Sequence, residues 1–172
     1  MAKPPDEKPH ASGSRERKGD RVVATNRKAF HEYHVGERLE AGLALTGSEV
    51  KSLRQGHASL GEAYAVPEGG EIYVHNLHIP PYDPASRFNH EPRRKRKLLL
   101  HRREIRRLEG FVTRKGQTLV PLELRFRGGY AKLVLALATG KKAHDKRDAI
   151  AEREAKREVA RAVRRRARGG DE

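Results

Sequence analysis

"QTLVPLELRFR", residues 117–127, and "YAKLVLALATG", residues 130–140, are separated only by Gly128 and Gly129. In the second segment Leu133, Leu135 and Leu137 alternate with Val134 and Ala136. In the first, Leu122, Leu124 and Phe126 alternate with Glu123, Arg125 and Arg127. Side chains on a strand point to opposite faces in turn, so a period of two in hydrophobicity predicts one buried face. A Gly-Gly step between two such runs is hairpin chemistry. The pair therefore predicts an antiparallel hairpin in a curved sheet with one wet or half-wet face.

Working outward, "ERLEAGLALTG" repeats the pattern through Leu39, Ala41, Leu43 and Leu45. "GSEVKSLRQG" predicts a short helix: Ser48 is a candidate cap, Val50 and Leu53 lie three apart on one face, and Gly56 closes it. Two β-prone runs, 64–66 and 72–77, flank "PEGG" and predict a second hairpin. "PPYDPASRFNHEP" is a Pro- and Asn-rich loop. A second helix starts near His101, with Glu104 placed for a capping box and Ile105, Leu108 and Val112 at helical spacing. Gly116 is a stop signal.

At least five strands and two inserted helices thus fall in roughly one domain's length of chain. Short strands in hairpins, few long helices and frequent glycine predict a mainly β fold. The best fit is a closed antiparallel barrel of the oligonucleotide/oligosaccharide-binding (OB) type with inserted helices. The expected organisation is an N-terminal extension over residues 1–20, a barrel over 21–140 and a basic tail over 141–172. The extension combines Pro, Ser, Gly and mixed charge with no apolar segment, which predicts disorder and no secretory signal. No run of eighteen apolar residues occurs, so no transmembrane helix is expected.

The tail is almost all charge and alanine. Ala155, Val159, Ala162 and Val163 form a stripe of small residues, and Glu152 and Lys156 are a supportive pair four apart. Burying that stripe would contribute little, and an isolated helix of this length is marginal in water. The reading is a tail that is disordered alone and helical against a polyanion.

The chain carries 38 Lys+Arg against 23 Asp+Glu, a formal net charge of +15 in 172 residues. Such an excess points to a polyanionic partner, nucleic acid first. The densest cluster is "RRKRK", Arg93, Arg94, Lys95, Arg96 and Lys97, read as the loop leading into the second helix and followed by Arg102, Arg103, Arg106 and Arg107. On a folded edge it would neutralise several phosphates; its plain alternative is a solvated run. Aromatic residues are 5% of the chain and Trp is absent. Single-strand binders stack bases on several rings, so recognition of a structured RNA by shape and phosphate contact fits better. Nothing reads as a helix-turn-helix or zinc module for sequence-specific DNA binding.

Enzymatic readings find little support. There is no cysteine, hence no disulfide or thiolate metal site. "HEYH", residues 31–34, sets its histidines three apart, whereas a zinc-binding helix needs them four apart. "HNLH", residues 75–78, lies in an expected strand, where residues three apart face opposite sides. No phosphate-binding loop or nucleophile elbow is present, and nothing in the sequence brings Glu40 and Glu49 together. No cofactor is expected.

The ordered motifs "NRKAFHEY", "EAGLALTGSEVKSLRQG", "RRKRKLLLHRREI", "KGQTLVPLELRF" and "ATGKKAHDKR" resemble the SmpB family of SsrA-binding proteins, over roughly residues 26–147. The resemblance implies an OB-type barrel that binds the tRNA-like domain of transfer-messenger RNA (tmRNA, or SsrA RNA). It implies delivery of that RNA to ribosomes stalled on an mRNA without a stop codon, with the tail helical in the small-subunit decoding centre and empty mRNA channel. It implies tagging of the stalled peptide, no covalent chemistry by the protein, a cytoplasmic monomer, and elongation factor Tu and alanyl-tRNA synthetase acting on the same RNA.

By the same resemblance the RNA-binding positions are Asn26, His31, Glu40, Leu99 and Lys132, to which the basic cluster adds Arg93, Arg94, Arg96 and Lys97. The ribosome-facing tail residues are Gly140, Lys141, Lys142, Asp145, Lys146 and Arg147, then Arg153, Lys156, Arg157, Arg161 and Arg164. Asp145 is also a candidate cap for the tail helix. Position 48 is Ser where the family more often has Thr. Two alternatives stay open: a ribosomal or initiation-factor-like OB protein with a basic tail, and an RNA-processing enzyme.

Overall fold

The computed structural model describes residues 20–84 and 89–168. The expectation of disorder over the N-terminal extension falls, apart from Asp20, outside the described residues. Seven strands and four helices make up the described chain. They are β1 (Arg21–Thr25), α1 (Arg27–Glu32), β2 (Tyr33–Leu43), α2 (Gly47–Arg54), β3 (Tyr64–Glu68), β4 (Glu71–His75), β5 (Arg96–Leu99), α3 (Arg102–Val112), β6 (Gln117–Arg127), β7 (Tyr130–Gly140) and α4 (Ala143–Arg168).

All strand pairs are antiparallel. The order β6-β3-β4-β5-β2-β7 returns to β6, so six strands close a ring, as the OB-type expectation required. Closure removes the unpaired edges that an open sheet would expose. The seventh strand, β1, pairs with the Glu123–Phe126 stretch of β6, while Leu119 nearer the start of β6 pairs with Ala65 of β3. The β6–β7 hairpin turns on Gly128 and Gly129, whose φ values of 56° and 84° suit a type I′ turn that L side chains resist.

Leu133, Leu135 and Leu137 point into the barrel with Ala41, Leu43, Ile72, Val74, Leu98 and Leu119. Ile105 and Leu108 of α3 join them, as their spacing predicts. The alternation in β6 is broken, however. Its register with β7 shifts between Pro121 and Glu123, which leaves Leu122 as the bulged residue. Leu124 and Phe126 face the barrel interior, whereas Leu122 joins Val120, Ala136, Ala138 and Ala29 in a second, smaller core. The expectation that Leu122 shares a face with Leu124 is thus corrected, because one extra residue flips everything beyond it. The small core lies under α1, so part of the face expected to be wet is covered by a helix.

Asn26 organises this region. Its side-chain oxygen accepts from Ala29 N–H at 3.1 Å and caps α1. Its amide donates to Leu60 O at 3.1 Å and Pro121 O at 3.0 Å, and its own N–H donates to the carbonyl of Leu122 at 2.7 Å. One buried side chain therefore satisfies the bulge, the helix start and a loop.

Two further expectations change. The cap of α2 is Thr46, not Ser48: the Glu49 carboxylate accepts from Thr46 N–H at 2.8 Å as in a capping box. Ser48 sits inside the first turn, and its hydroxyl meets His90 Nδ1 at 2.9 Å. The run 93–97 is not a plain loop, since its last two residues open strand β5. At α3 the Glu104 carboxylate accepts from His101 N–H at 2.8 Å, in line with the capping-box reading.

Candidate nucleic-acid interface

The outer face of β5, β2, β7 and β6 carries a row fixed by strand register. Leu99 on β5 pairs with Gly42 on β2, Gly42 with Lys132 on β7, and Lys132 with Arg125 on β6. Cross-strand partners point to the same side. Leu98, Ala41, Leu133 and Leu124 beside them face inward, so Leu99, Gly42, Lys132 and Arg125 face out. Glu40 joins this face one step along β2, its Oε2 accepting from Arg125 Nη2 at 2.7 Å, with Arg127 farther off.

A groove of about 740 Å³ runs over the Leu99, Gly42 and Lys132 part of this row, walled by α3 and the Gly69–Gly70 turn. Glu40, Leu99 and Lys132, far apart in sequence, all line it. Leu99 is 55% exposed, so its apolar side chain is open to a ligand in the groove. Gly42 makes the geometry work: a Cβ there would lie 3.0 Å from the Cβ of Leu99. Its absence leaves a flat apolar step between Leu99 and Lys132, suited to the face of a base or ribose.

The charge of the groove is mixed. Glu71 is paired with Lys97 at 2.8 Å, Glu40 with Arg125, and Glu104 caps α3. Arg102, Arg106 and Lys132 line the groove with no ion-pair partner among the described residues. Three free cations around a partly apolar floor suit a shaped RNA element better than a uniform phosphate track. Gly42 escaped the sequence reading; its only trace was a glycine at an outward position of an alternating strand.

The basic cluster is largely occupied. Arg96 is fully buried: its Nε donates to Glu49 Oε1 at 2.7 Å, and its Nη atoms donate to the carbonyls of Leu77, Arg94 and Pro92. Arg94 grips the same carboxylate, Nε to Oε1 at 2.8 Å and Nη2 to Oε2 at 2.6 Å. Burial alone would raise the Glu49 pKa, but Arg94, the Thr46 N–H and Arg96 together bring it down to about 2. Burial pulls Arg96 down from its usual value, against the charge of Glu49. Lys95 is paired with Glu68 and lies over the ring of Tyr73. Arg93 is exposed. Arg96 is therefore a structural charge rather than a phosphate contact, because both its carboxylate and its carbonyl partners lie inside.

The remaining sites divide similarly. Asn26 is 3% exposed with its amide engaged internally, so it shapes the α1 region instead of presenting itself to a ligand. His31 is half-buried in the last turn of α1. Lys141 donates from its backbone to Glu32 O at 2.9 Å and from Nζ to Phe30 O at 3.1 Å. Asp145 accepts from Lys142 N–H at 3.1 Å and approaches His34 Nε2 at 3.4 Å. It acts at the helix start as expected, though from the third position within α4 and not as the cap itself. Arg147, Arg153, Lys156, Arg157, Arg161 and Arg164 are exposed along α4, with Lys156 paired to Glu152; the Lys146 side chain is outside the described residues.

Comparison with known proteins agrees with this architecture. The profile of the SmpB protein family matches residues 23–165. The SsrA-binding protein of Carboxydothermus hydrogenoformans is 54% identical over 145 residues, covering 84% of this chain and 97% of its own. That of Acidothermus cellulolyticus is 57% identical, covering 88% and 95%, and that of Mycobacterium leprae is 56% identical, covering 89% and 96%. A chain from the solved structure "tmRNA-SmpB: a journey to the center of the bacterial ribosome" superposes with a TM-score of 0.62 at 52% identity, covering 75% of this chain and 94% of that one. A matching barrel, the same motifs in the same order and near-complete coverage of its relatives lead to one conclusion: this chain belongs to the SmpB family.

Proposed function

We propose that this protein binds the tRNA-like domain of tmRNA and carries it to stalled ribosomes, where translation resumes on the tmRNA and tags the unfinished peptide. The observation that carries the reading is the groove, in which Glu40, Leu99 and Lys132 meet across three strands beside Arg102 and Arg106. Leu99 packs against an unstacked base or ribose, Lys132 and the arginines of α3 meet phosphates, and Glu40 accepts from base edges or 2′-hydroxyls. The protein works by binding and positioning, with no covalent step of its own.

The exposed cations of α4 enter the small-subunit decoding centre and the empty mRNA channel, where ribosomal RNA stabilises the helix. A helix this exposed gains little from its own apolar stripe, so the partner supplies the ordering free energy. The protein acts in the cytoplasm as a monomer, on an RNA that elongation factor Tu and alanyl-tRNA synthetase also handle.

The test is a competition titration against the tRNA-like domain of tmRNA, with ordinary tRNA as competitor, at two salt concentrations. Binding that survives excess tRNA and moderate salt is expected, since contacts beyond the phosphates do not release counterions. Equal binding to both RNAs, lost together as salt rises, would reduce the protein to a basic OB-type barrel.

A further inference from the structure

Among the described tail cations, Lys141 alone is turned inward onto the barrel. Its backbone N–H and its ammonium both end on carbonyls at the C-terminal end of α1, Glu32 O at 2.9 Å and Phe30 O at 3.1 Å. The last carbonyls of a helix lack intrahelical partners and carry partial negative charge, which a lysine offsets well. Two more ties lie beside this one. Tyr33 and His34 of β2 pair with Gly140 and Thr139 of β7. The Asp145 carboxylate bridges Lys142 N–H and the His34 ring. Beyond Asp145 the described side chains of α4 make no hydrogen bond or ion pair to the barrel.

We infer that Lys141 is a positioning residue: it clamps the root of the tail to α1 and sets the direction in which α4 leaves the barrel. This changes the role assigned to Lys141 by resemblance, from a charge offered to ribosomal RNA to a charge consumed inside the protein. It also couples α1 mechanically to the tail, since α1 cannot shift at its C-terminal end without moving the first residue of the hinge. Its consequence at the decoding centre rests on the proposed function; the clamp itself does not.

The chain has no cysteine, so two can be introduced and spin-labelled without background. Arg103→Cys on α3 and Arg157→Cys on α4, both exposed, report the tail direction as a distance distribution in the free, full-length protein. The expected result is a defined distribution that broadens with Lys141→Met, which keeps the backbone N–H and the stem but loses the ammonium. Lys141→Arg, which still donates, should restore it.

A second readout separates clamp from contact. In a salt titration of ribosome binding, Lys141→Met should leave the slope unchanged, whereas loss of a direct phosphate contact would lower it by about 0.7–0.9. A distribution of equal width with and without the ammonium, or a lowered salt slope with the distribution unchanged, would overturn the inference. Because the distance measurement contains no RNA, its failure is distinct from a failure of the proposed function.

Discussion

Replacing Glu49 with Gln tests whether the basic cluster is a structural device. The carboxylate and the Arg96 guanidinium are both fully buried, and Arg94 closes over them. Gln keeps the shape but takes away the charge that Arg96 pairs with, leaving the buried guanidinium hydrogen-bonded to the carbonyls of Leu77, Arg94 and Pro92. Breaking one partner of such a pair costs about 3–5 kcal/mol. Linkage leads to a similar figure: a carboxyl held at about 2 rather than 4.5 contributes on the order of 3 kcal/mol at neutral pH.

The sign follows from the depressed value. This stability is fully present above the unfolded pKa of 4.5 and is lost as pH falls from there through about 2. Urea denaturation followed by circular dichroism should therefore show the variant less stable by about 3 kcal/mol at pH 7, equivalent to a melting temperature lower by roughly 6–12 °C. The gap between variant and wild type should close as pH approaches 2.5 or so, where the wild-type carboxyl also begins to protonate. A loss under about 1 kcal/mol at pH 7, in the range of an exposed pair, would refute the buried-triad account. So would a gap that does not change with pH.

Asn26→Ala removes the α1 cap and leaves the carbonyls of Leu60 and Pro121 short of a donor, so thermal denaturation should show a loss of about 2–4 kcal/mol. Its salt slope for RNA binding should be that of wild type, because no phosphate contact is lost. Gly42→Val drives a side chain into the space of Leu99; the expected result is a fall in tmRNA affinity on the order of tenfold, about 1.4 kcal/mol, in a protein that still folds. Unchanged affinity in a titration would remove the Leu99–Gly42 platform from the site. Deleting residues 148–172 should spare tmRNA binding and abolish peptide tagging in a translation assay; loss of tmRNA affinity would assign the tail to the wrong RNA.

Much of the barrel was legible because it rests on local pattern. The period-two runs of β2 and β7 and the two Gly-Gly turns are statements about adjacent residues, and burial followed them. Elements without such a pattern stayed hidden. α1 has six residues, too few to show helical periodicity, and β5 has four, two of them basic. The bulge at Leu122 was invisible because it depends on how β6 meets β7 and on a carbonyl that Asn26 captures from across the fold.

The site divides along the same line. Sequence alone determined that the protein is strongly basic, that it folds as a small barrel with a charged tail, and which family it resembles. These follow from composition, periodicity and motif order, all of them properties of the chain read locally. Which cations are free was decided only by tertiary structure. Arg96 and Lys132 look alike in sequence. One is buried against Glu49, 47 positions away, and the other lines a groove whose floor exists because Gly42 and Leu99 meet across two strands. Pairing and exposure are set by neighbours in space, and a charge is available to RNA only where folding has left it without a partner.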